Sequence, residues 1–384
     1  MANSLQLETM KPYIQSVWKE SGFQAPTNIQ DQAIPAILEG KDVICESPTG
    51  TGKTLAYLLP VIEKLDESKK SVQVVILAPS RELVMQILDQ VRKWTKGTTI
   101  GSASFIGGAN VKKQVEKLKE KPQIVVGTTG RIVELIKMKK LKMHEVHTVV
   151  VDEADQLVSP EHLGNVQSII KATLRDRQVL FFSATISPQT ETIAKGFMQD
   201  PQVIRVEENI DQTNTNHIYF VCEQRDKIDL LRKIIHTISG RTIAFLKTVE
   251  KVEEAEAKLA YHGIPLAVLA GESKKMERQQ SMKNFRSGKI PLLLTTDVAA
   301  RGLDIEDVTY VIHFDFPKTT TQYLHRSGRT GRMGKEGTVI SLVNAREESF
   351  LKKMSHELGL TFTEKQLYQG KIVDIVGQKN SIKK

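Results

Sequence analysis

Short apolar runs alternate with longer segments of helical periodicity along nearly the whole chain. Runs rich in Val, Ile and Leu are typical of β-strands, and apolar strands separated by helices predict a parallel sheet that is covered on both faces. In the first half of the chain this pattern predicts strands at residues 42–47, 72–78, 123–128, 148–151, 179–183 and 203–206.

A polar stretch at residues 207–216 interrupts the alternation, because only one of its ten residues is apolar. Such a stretch is typical of a linker. Beyond it the pattern resumes, and strands are predicted at residues 217–222, 242–246, 265–270, 292–296, 308–314 and 338–343. The chain is therefore predicted to form two α/β domains, residues 1–206 and 217–384, each with a doubly wound, mostly parallel sheet.

Composition narrows the class of protein without identifying it. With 384 residues, 40% of them hydrophobic and 26% charged, the chain has enough apolar material for two cores, which excludes wholesale disorder. The net charge of +9 favours a polyanionic partner. Cys45 and Cys222 are far apart in apolar runs, which indicates neither a disulfide nor a cysteine metal site. No apolar run approaches the roughly 18–20 residues of a membrane span, so a cytoplasmic protein without membrane contact is expected.

The segment from Ser47 to Thr54 lies between a predicted strand and a predicted helix, which is the position of a phosphate-binding loop. Its sequence is Ser47-Pro48-Thr49-Gly50-Thr51-Gly52-Lys53-Thr54. The glycines allow backbone N–H groups to turn toward phosphate oxygens, Lys53 supplies positive charge, and Thr54 is placed for Mg²⁺. Ser47 stands where the usual pattern has glycine. This phosphate-binding loop (residues 47–54) predicts binding of ATP or GTP.

Two adjacent acids, Asp152 and Glu153, follow an apolar run farther along the chain. Because α/β proteins bind ligands at the carboxyl ends of their strands, Asp152 is placed to hold Mg²⁺, partly through water. Glu153 can orient or deprotonate the attacking water. Together with the phosphate-binding loop, this pair predicts Mg²⁺-dependent hydrolysis of a nucleoside triphosphate, in which Lys53, Asp152 and Glu153 are catalytic residues.

Residues 152–155 spell Asp-Glu-Ala-Asp, and the motifs between about residues 13 and 345 resemble, in order, those of the DEAD-box RNA helicases. The resemblance implies two tandem RecA-like domains joined by a short linker. Residues 22–30 resemble the Q motif of the family, in which a glutamine reads the adenine edge and an aromatic side chain stacks on the ring. It implies that Gln30 and Phe23 bind the base, and that ATP is preferred because a side-chain amide cannot pair equally with guanine.

Three further segments of the first domain resemble those with which the family holds the RNA backbone. Arginines there offer guanidinium groups, and glycines let backbone N–H groups approach phosphates. The RNA-binding residues that the resemblance implies are Arg81, Gly107, Gly108, Thr128, Gly130 and Arg131. Ser80 and Thr129 stand where the family usually has Thr and Pro, and we expect altered local rigidity rather than lost binding.

Residues 183–185, the coupling segment, resemble the motif that couples hydrolysis to strand separation in the family. The hydroxyls of Ser183 and Thr185 are placed to bond the loop that contains Asp155, although a helix cap before Pro188 would use the same residues.

In the second domain, residues 295–305 and 325–332 resemble the fifth and sixth motifs of the family. The resemblance implies that Arg329 and Arg332 are arginine fingers for the γ-phosphate and that Asp304 contacts the ribose. It assigns Thr296 to RNA binding. The residues that it assigns to the coupling network are Arg301, His325 and Arg326.

The resemblance is to the bacterial minimal-core type of the family, because the 52 residues after Arg332 are expected to be largely needed to finish the last strand and helix. It implies an RNA-dependent ATPase whose domains close on ATP and RNA, and which unwinds short duplexes or remodels RNA–protein complexes. A monomer with sequence-blind RNA contacts is expected, and family analogy makes pre-ribosomal particles the first candidate target. The alternatives are an ATP-dependent DNA helicase, a metabolic P-loop kinase and a non-catalytic RNA clamp.

The basic charge is concentrated in residues 92–143. Thirteen Lys or Arg residues and three Glu residues give this window +10, so the rest of the chain sums to −1. The window contains most of the residues assigned to the RNA backbone. It therefore predicts a surface that holds RNA with a steep dependence on salt.

Overall fold

The computed structural model describes residues 4–48, 50–206, 215–270, 275–300, 308–331 and 336–375. The chain divides into two compact units, Met1–Glu208 and Asn209–Lys384. Each unit is built around one sheet whose strands are mostly parallel. The predicted α/β fold class is therefore confirmed.

The first unit alternates helices and strands throughout. In chain order its elements are α1 (Ser4–Thr9), α2 (Pro12–Glu20), α3 (Asn28–Leu38), β1 (Val43–Glu46), α4 (Lys53–Glu63), β2 (Val74–Leu77), α5 (Arg81–Trp94), β3 (Ser102–Phe105), α6 (Val111–Lys119), β4 (Ile124–Gly127), α7 (Thr129–Lys137), β5 (Thr148–Asp152), α8 (Ala154–Leu157), α9 (Leu163–Lys171), β6 (Gln178–Ser183), α10 (Pro188–Lys195) and β7 (Gln202–Arg205).

The second unit repeats this alternation and ends with a hairpin. Its elements are β8 (Thr215–Val221), α11 (Lys227–Thr237), β9 (Thr242–Leu246), α12 (Val249–Tyr261), β10 (Leu266–Leu269), α13 (Lys275–Arg286), β11 (Leu292–Thr296), α14 (Asp297–Ala300), β12 (Tyr310–His313), α15 (Thr320–Ser327), β13 (Gly337–Val343), α16 (Ala345–Leu358), β14 (Phe362–Tyr368) and β15 (Lys371–Asp374).

Local sequence accounts for several of the helix boundaries. The side chains of Ser80, Ser187 and Thr319 accept hydrogen bonds from backbone N–H groups in the first turns of α5, α10 and α15. Asn344 caps α16 in the same way, and that helix ends at Leu358, just before Gly359, whose φ is +63°. Such caps satisfy N–H groups that have no partner within the helix.

The first sheet has the strand order β3-β4-β2-β5-β6-β1-β7, and all of its pairs are parallel. Successive residues of a strand point to opposite faces, so Val43 and Cys45 pack with helices α1 to α5, whereas Ile44 packs with α6 to α10. Both faces of the sheet are covered, as the apolar runs predict.

The second sheet has the order β10-β11-β9-β12-β13-β8-β14-β15, with only the β14–β15 pair antiparallel. All twelve predicted strands are present, but β3, β14 and β15 were not predicted. After Arg332 the chain thus forms the expected strand and helix and, in addition, the hairpin of β14 and β15. The extra strands have polar residues at alternate or neighbouring positions, which hides them among loops.

The predicted linker overlaps the start of the second sheet. Strand β8 begins at Thr215, so Thr215 and Asn216 belong to a strand, and residues 207–214 lie outside the described residues. Within the described ranges, none of the helices combines the length and apolar character needed to cross a membrane.

Candidate functional site

Strand order divides the carboxyl edge of the first sheet into two sectors. Strands β5, β6 and β1 are neighbours, and the three segments assigned to nucleotide chemistry and coupling follow them directly. Strands β3, β4 and β2 are also neighbours, and the three segments assigned to RNA follow those. In the sequence the RNA group interrupts the nucleotide group, but the fold sorts each group into its own half of the edge.

The phosphate-binding loop joins β1 to α4 and is held by contacts within itself. Lys53 is 8% exposed, and its Nζ donates to the carbonyls of Ser47 and Pro48 at 2.5 and 2.8 Å. The hydroxyls of Ser47 and Thr51 lie 2.7 Å apart. Gly50 has a φ of +89°, which favours glycine. Ser47 thus uses its side chain to close the loop at the position where the usual pattern has glycine.

Gln30 contacts the phosphate-binding loop from α3. It is 2% exposed, its Oε1 accepts from the backbone N–H of Thr27 at 3.0 Å, and its Nε2 donates to the carbonyl of Gly52 at 3.2 Å. This approach requires glycine, because a Cβ at Gly52 would lie 2.5 Å from Gln30 Nε2. Phe23 is 43% exposed, and its ring centroid lies 5.1 Å from that of Trp18. An exposed aromatic ring is thus available for stacking.

Asp152 ends β5 with its carboxylate buried. Its Oδ2 accepts from the Tyr57 hydroxyl and its Oδ1 from the backbone N–H of Glu153, each at 2.9 Å. Burial raises the pKa of Asp152 to about 6; the charge of Glu153 adds to this shift, and Lys53 opposes it. Burial also lowers the pKa of Lys53. Desolvation thus disfavours both buried charges, which indicates a site built for a charged ligand.

Glu153 has a backbone conformation that is rare for a residue with a side chain. Its φ and ψ are +52° and +50°, in the left-handed region, and it precedes α8. Its Oε2 accepts from Nε2 of Gln156 at 3.1 Å. Such strained residues cost of the order of 1–3 kcal/mol and cluster at functional sites. The strained backbone thus coincides with the position that the motif assigns to catalysis, and that assignment stays a prediction.

The coupling segment is bonded to both neighbouring loops. Ser183 Oγ donates to Oδ1 of Asp155 at 2.8 Å, which is the hydroxyl contact that the sequence predicts. The carbonyl of Ser183 accepts from the backbone N–H of Ser47 at 3.1 Å. Thr185 donates its backbone N–H to Ser183 Oγ at 3.4 Å. The segment thus connects the acidic loop with the start of the phosphate-binding loop.

The segments assigned to RNA also contact one another. The backbone N–H of Gly107 donates to Thr128 Oγ1 at 3.3 Å, which joins the loops after β3 and β4. Gly108 has a φ of +74°, and a Cβ there would overlap the guanidinium group of Arg81, which begins α5 after β2. A Cβ at Gly130 would meet no atom within 4 Å, so its backbone is open to an approaching group.

Arg131 is directed inward in the structure. It is 7% exposed, and both of its terminal nitrogens lie 3.1 Å from the carbonyl oxygen of Ala109, to which they donate. Its Nε lies 2.8 Å from Oε2 of Glu134. These contacts hold the loop after β3 against α7. A direct phosphate contact by Arg131 stays a prediction, whereas its described role is to position that loop.

In the second unit, Arg326 is buried in a network of acceptors. Its Nε and Nη2 donate to the Asp297 carboxylate at 2.6 and 2.7 Å, and its Nη1 donates to the carbonyl of Asp315 at 2.7 Å. The guanidinium carbon lies 5.2 Å from the ring centroid of Phe245. Arg326 therefore ties α15 to α14 and to the loop after β12.

The other assigned residues of this unit lie at the end of β11 and in and after the last turn of α15. The hydroxyl of Thr296 accepts from the backbone N–H of Ala299 at 3.3 Å. His325 is in the last turn of α15, and Arg329 follows that helix with its backbone N–H 3.2 Å from the carbonyl oxygen of Arg326. Four assigned residues lie outside the described ranges: Thr49, Arg301, Asp304 and Arg332.

Two residues at the site were missed from the sequence. Tyr57, which donates to Asp152, lies one turn after Lys53 on α4, so helical spacing could have placed both on one face. Glu46 ends β1, and its Oε1 accepts from the backbone N–H of Ile186 at 3.0 Å. The signal in the sequence that could have identified Glu46 is an acid at the end of an otherwise apolar strand.

The fold and the site together define a class of protein, the enzymes with tandem α/β domains that hydrolyse nucleoside triphosphates. Comparison with protein families matches the DEAD/DEAH box helicase model at residues 27–193 and the helicase conserved C-terminal domain at residues 226–334. The chain is 51% identical to the DEAD-box ATP-dependent RNA helicase CshC of Bacillus cereus, over 96% of this chain and 95% of that protein. It is 53% identical to the probable ATP-dependent RNA helicase YfmL of Bacillus subtilis, over 95% of this chain and 97% of that protein. The chain therefore belongs to the DEAD-box ATP-dependent RNA helicases, as its motifs predict.

Solved structures agree with this assignment. Dbp5 of S. cerevisiae, bound to RNA and ADP BeF3, matches with a TM-score of 0.86 and 29% identity, over 95% of each chain. Mss116p, bound to ssRNA and AMP-PNP, matches with a TM-score of 0.84 over 95% of this chain and 79% of that chain; at 24% identity it bears on the fold alone. The predicted tandem RecA-like fold is thus confirmed.

Proposed function

We propose that this chain hydrolyses ATP with Mg²⁺ in an RNA-dependent reaction, and that closure of its two units separates short RNA duplexes or remodels RNA–protein complexes. The observation that carries the proposal is that the assigned segments form two separate groups along the carboxyl edge of the first sheet. Nucleotide chemistry is assigned to the loops after β5, β6 and β1, and RNA to the loops after β3, β4 and β2. One rigid sheet can thus hold both ligands at once.

The residues of the first unit suit a metal-bound nucleotide. Asp152 offers a buried carboxylate whose pKa is raised by burial, and a nearby cation would favour its charged form. Tyr57, whose hydroxyl donates to Asp152, lies three residues after Thr54 on α4. Thr54 and Asp152 would hold Mg²⁺, partly through water, and oxygen ligands of this kind suit that ion. Bound Mg²⁺ would neutralise charge that develops on the phosphates.

The protein side chains then perform the remaining steps. Lys53 would exchange the carbonyls of Ser47 and Pro48 for phosphate oxygens, which bear full charge and are stronger acceptors. Glu153 would orient the attacking water and take up its proton. Gln30 would read the adenine edge while Phe23 stacks on the ring.

The second unit would supply the charge that the first unit lacks. Arg329 and Arg332 are proposed as arginine fingers, and Asp304 as a ribose contact. Because these residues belong to a different unit from Lys53, neither unit alone can neutralise the transition state. Hydrolysis would then require closure, and RNA bound to both units would favour the same closed state, so that ATP and RNA strengthen each other's binding.

RNA recognition is proposed to use the backbone of the strand. Gly107, Gly108, Gly130 and Thr128 would present backbone N–H and hydroxyl groups to phosphates, Arg81 would add a guanidinium group, and Thr296 would contribute from the second unit. The window at residues 92–143, with its excess of ten positive charges, would attract the polyanion. Contacts of this kind carry little base information, so the core would bind RNA of many sequences.

The proposal is tested by measuring phosphate release with and without RNA. Arg329→Ala should lower the RNA-stimulated rate by roughly 10³–10⁵ and leave ATP affinity nearly unchanged, because an arginine finger acts mainly in the transition state. Arg329→Lys is the matched variant, which retains the charge but loses the planar fork. RNA-stimulated turnover that survives Arg329→Ala would contradict the assignment. A single-stranded DNA of the same sequence that stimulates as well as RNA would favour the DNA helicase alternative.

The cellular target is a separate proposal that rests on family analogy. Pre-ribosomal particles are the first candidate, and the chain is proposed to act as a monomer. Crosslinking the protein to RNA in cells and sequencing the recovered RNA would test this. Enrichment of ribosomal RNA precursors would support it, and enrichment of messenger RNA alone would contradict it. The cytoplasmic location stays a prediction.

A further inference from the structure

Glu46 connects three parts of the first unit that are far apart in sequence. It is the last residue of β1, directly before the phosphate-binding loop, and in the sheet it pairs with Ser183 of β6 on one side and Arg205 of β7 on the other. Its Oε1 accepts from the backbone N–H of Ile186, the first residue after the coupling segment, at 3.0 Å. Its Oε2 lies 3.2 Å from Arg205 Nε, and its carbonyl oxygen accepts from the backbone N–H of Val206 at 3.0 Å.

The two side-chain links of Glu46 differ in character. The hydrogen bond from Ile186 is charge-assisted, which makes it stronger than a neutral one. Arg205 also pairs with Glu191, which lies 2.6 Å from Lys195, but the Arg205 side chain is 50% exposed. Because exposed ion pairs contribute little to stability, the hydrogen bond from Ile186 is the stronger of the two side-chain links.

We propose that Glu46 is a positioning residue that keeps the coupling segment in register with the phosphate-binding loop. When nucleotide rearranges that loop, the carboxylate of Glu46 transmits the displacement of β1 to the exit of the coupling segment. The inference rests on the proposed function, since it concerns how RNA-dependent hydrolysis is coupled to strand separation. Glu46 itself contacts neither the nucleotide nor the RNA in this scheme.

Three variants separate the two links, and a fourth serves as the control. Glu46→Ala removes both, whereas Glu46→Gln keeps an acceptor for the Ile186 N–H and loses the charge. Arg205→Ala removes the ion pair alone. Glu39→Ala is the matched control, because Glu39 forms an exposed ion pair with Lys41 at 2.7 Å in the same unit. The measurements are ATP hydrolysed per duplex separated, the KM for ATP and the rate of RNA-free hydrolysis.

We expect Glu46→Ala to use about tenfold more ATP per duplex separated, which corresponds to loss of one charge-assisted link. KM and RNA-free hydrolysis should stay within about twofold of the wild type, because no nucleotide contact is lost. Glu46→Gln should recover most of the coupling, and Arg205→Ala and Glu39→Ala should resemble the wild type. If Glu46→Ala does not fold, Glu46→Asp replaces it, since removal of one methylene draws the carboxylate back from its 3.0 Å contact with the N–H of Ile186, and a smaller rise in the same direction is expected.

Two results would overturn the inference. The first is a wild-type ratio of ATP to separated duplex in Glu46→Ala or Glu46→Asp. The second is a rise of KM and a fall of RNA-free hydrolysis in parallel with the lost coupling, which would make Glu46 part of the nucleotide site. Failure of the proposed function would look different, because the wild-type protein itself would then show no stimulation by RNA.

Discussion

Asp152→Asn is expected to stabilise the nucleotide-free first unit at neutral pH while it abolishes ATP hydrolysis. Burial raises the pKa of Asp152 from 3.8 to about 6, so its charged form is disfavoured in the folded state. A difference of about two pH units at ~1.4 kcal/mol each makes the cost of this charge about 3 kcal/mol. Asparagine removes the charge and can still bond the N–H of Glu153 and the hydroxyl of Tyr57, because a tyrosine hydroxyl both donates and accepts.

The sign of the pH dependence follows from the raised pKa. The folded protein holds the Asp152 proton more tightly than the unfolded chain does, so this group favours folding most below pH 3.8 and loses that contribution as the pH rises to about 6. The advantage of asparagine over aspartate is therefore absent below pH 3.8. It reaches about half of its full size near pH 5 and is complete above about pH 7.

Tryptophan fluorescence during urea unfolding measures the change in stability of the first unit, which contains Asp152. Both tryptophans of the chain, Trp18 and Trp94, belong to the first unit, and Trp94 is fully buried. With a urea dependence of about 1–3 kcal/mol/M, the midpoint should rise by about 1–3 M. Asp89→Asn makes the same chemical change at a side chain that is 71% exposed, and it should shift stability by no more than about 0.5 kcal/mol.

Two outcomes would refute this reasoning. An unchanged midpoint at about pH 7.5 would mean that burial does not penalise the Asp152 charge. A gain of equal size at about pH 5 would mean that the stabilisation comes from packing or hydrogen bonding rather than from removal of the charge.

Three further substitutions test other parts of the structure. Gly52→Ala should weaken ATP binding in calorimetry, because the new Cβ would lie 2.5 Å from Gln30 Nε2. Gly97→Ala is the control for the backbone cost alone, because Gly97 also has a positive φ but has open space around it. Reversal of three exposed lysine charges at the end of α7 should weaken RNA binding in fluorescence anisotropy by about tenfold or more and flatten its salt dependence between about 50 and 200 mM. These lysines are Lys137, Lys139 and Lys140. Arg326→Lys should destabilise the second unit by about 3 kcal/mol or more, because it breaks a buried bidentate contact with Asp297. During unfolding, the midpoint of the circular dichroism transition should fall, while the midpoint of the tryptophan fluorescence transition, which reports on the first unit, should stay unchanged.

Each of these expectations has a distinct contrary result. Gly52→Ala that binds ATP as well as Gly97→Ala would mean that Gln30 moves away without cost. An unchanged salt slope after the lysine reversal would place the RNA elsewhere. For Arg326→Lys, an equal fall in the midpoints of the circular dichroism and tryptophan transitions would show that the two units unfold together.

The fold was predictable from the sequence where strands are buried on both faces. Such strands lack polar positions, as in β2 and β4, and all of these runs were found. Strand β3 was missed because it lies at the edge of its sheet and alternates Ser102 and Ser104 with apolar residues. Strand β14 has the charged residues Glu364 and Lys365 in its interior, and all of its residues are exposed or only partly buried. Periodicity alone cannot separate these strands from loops.

The candidate site was predictable where one residue type has one chemical use. A lysine in a glycine loop and an acid at the end of a buried strand serve few purposes besides binding phosphate and metal, so the sequence alone assigns these roles to Lys53 and Asp152, and the roles stay predictions. The partners of these residues depend on tertiary packing and were not found, as with the hydroxyl of Tyr57. Arg131 shows the same limit, because its motif predicts a phosphate contact but gives no indication that its guanidinium group donates to the carbonyl of Ala109.

The occupied amide of Gln30 changes how base selection would operate. Both ends of this amide already have partners, Thr27 and Gly52, before any nucleotide arrives. Adenine would therefore replace existing hydrogen bonds rather than add new ones, and the net gain in affinity would be small. A guanine base would displace the same partners and leave a buried amide group unpaired, which costs about 1–3 kcal/mol. Discrimination at this position would then arise from rejection of the wrong base more than from attraction to the right one.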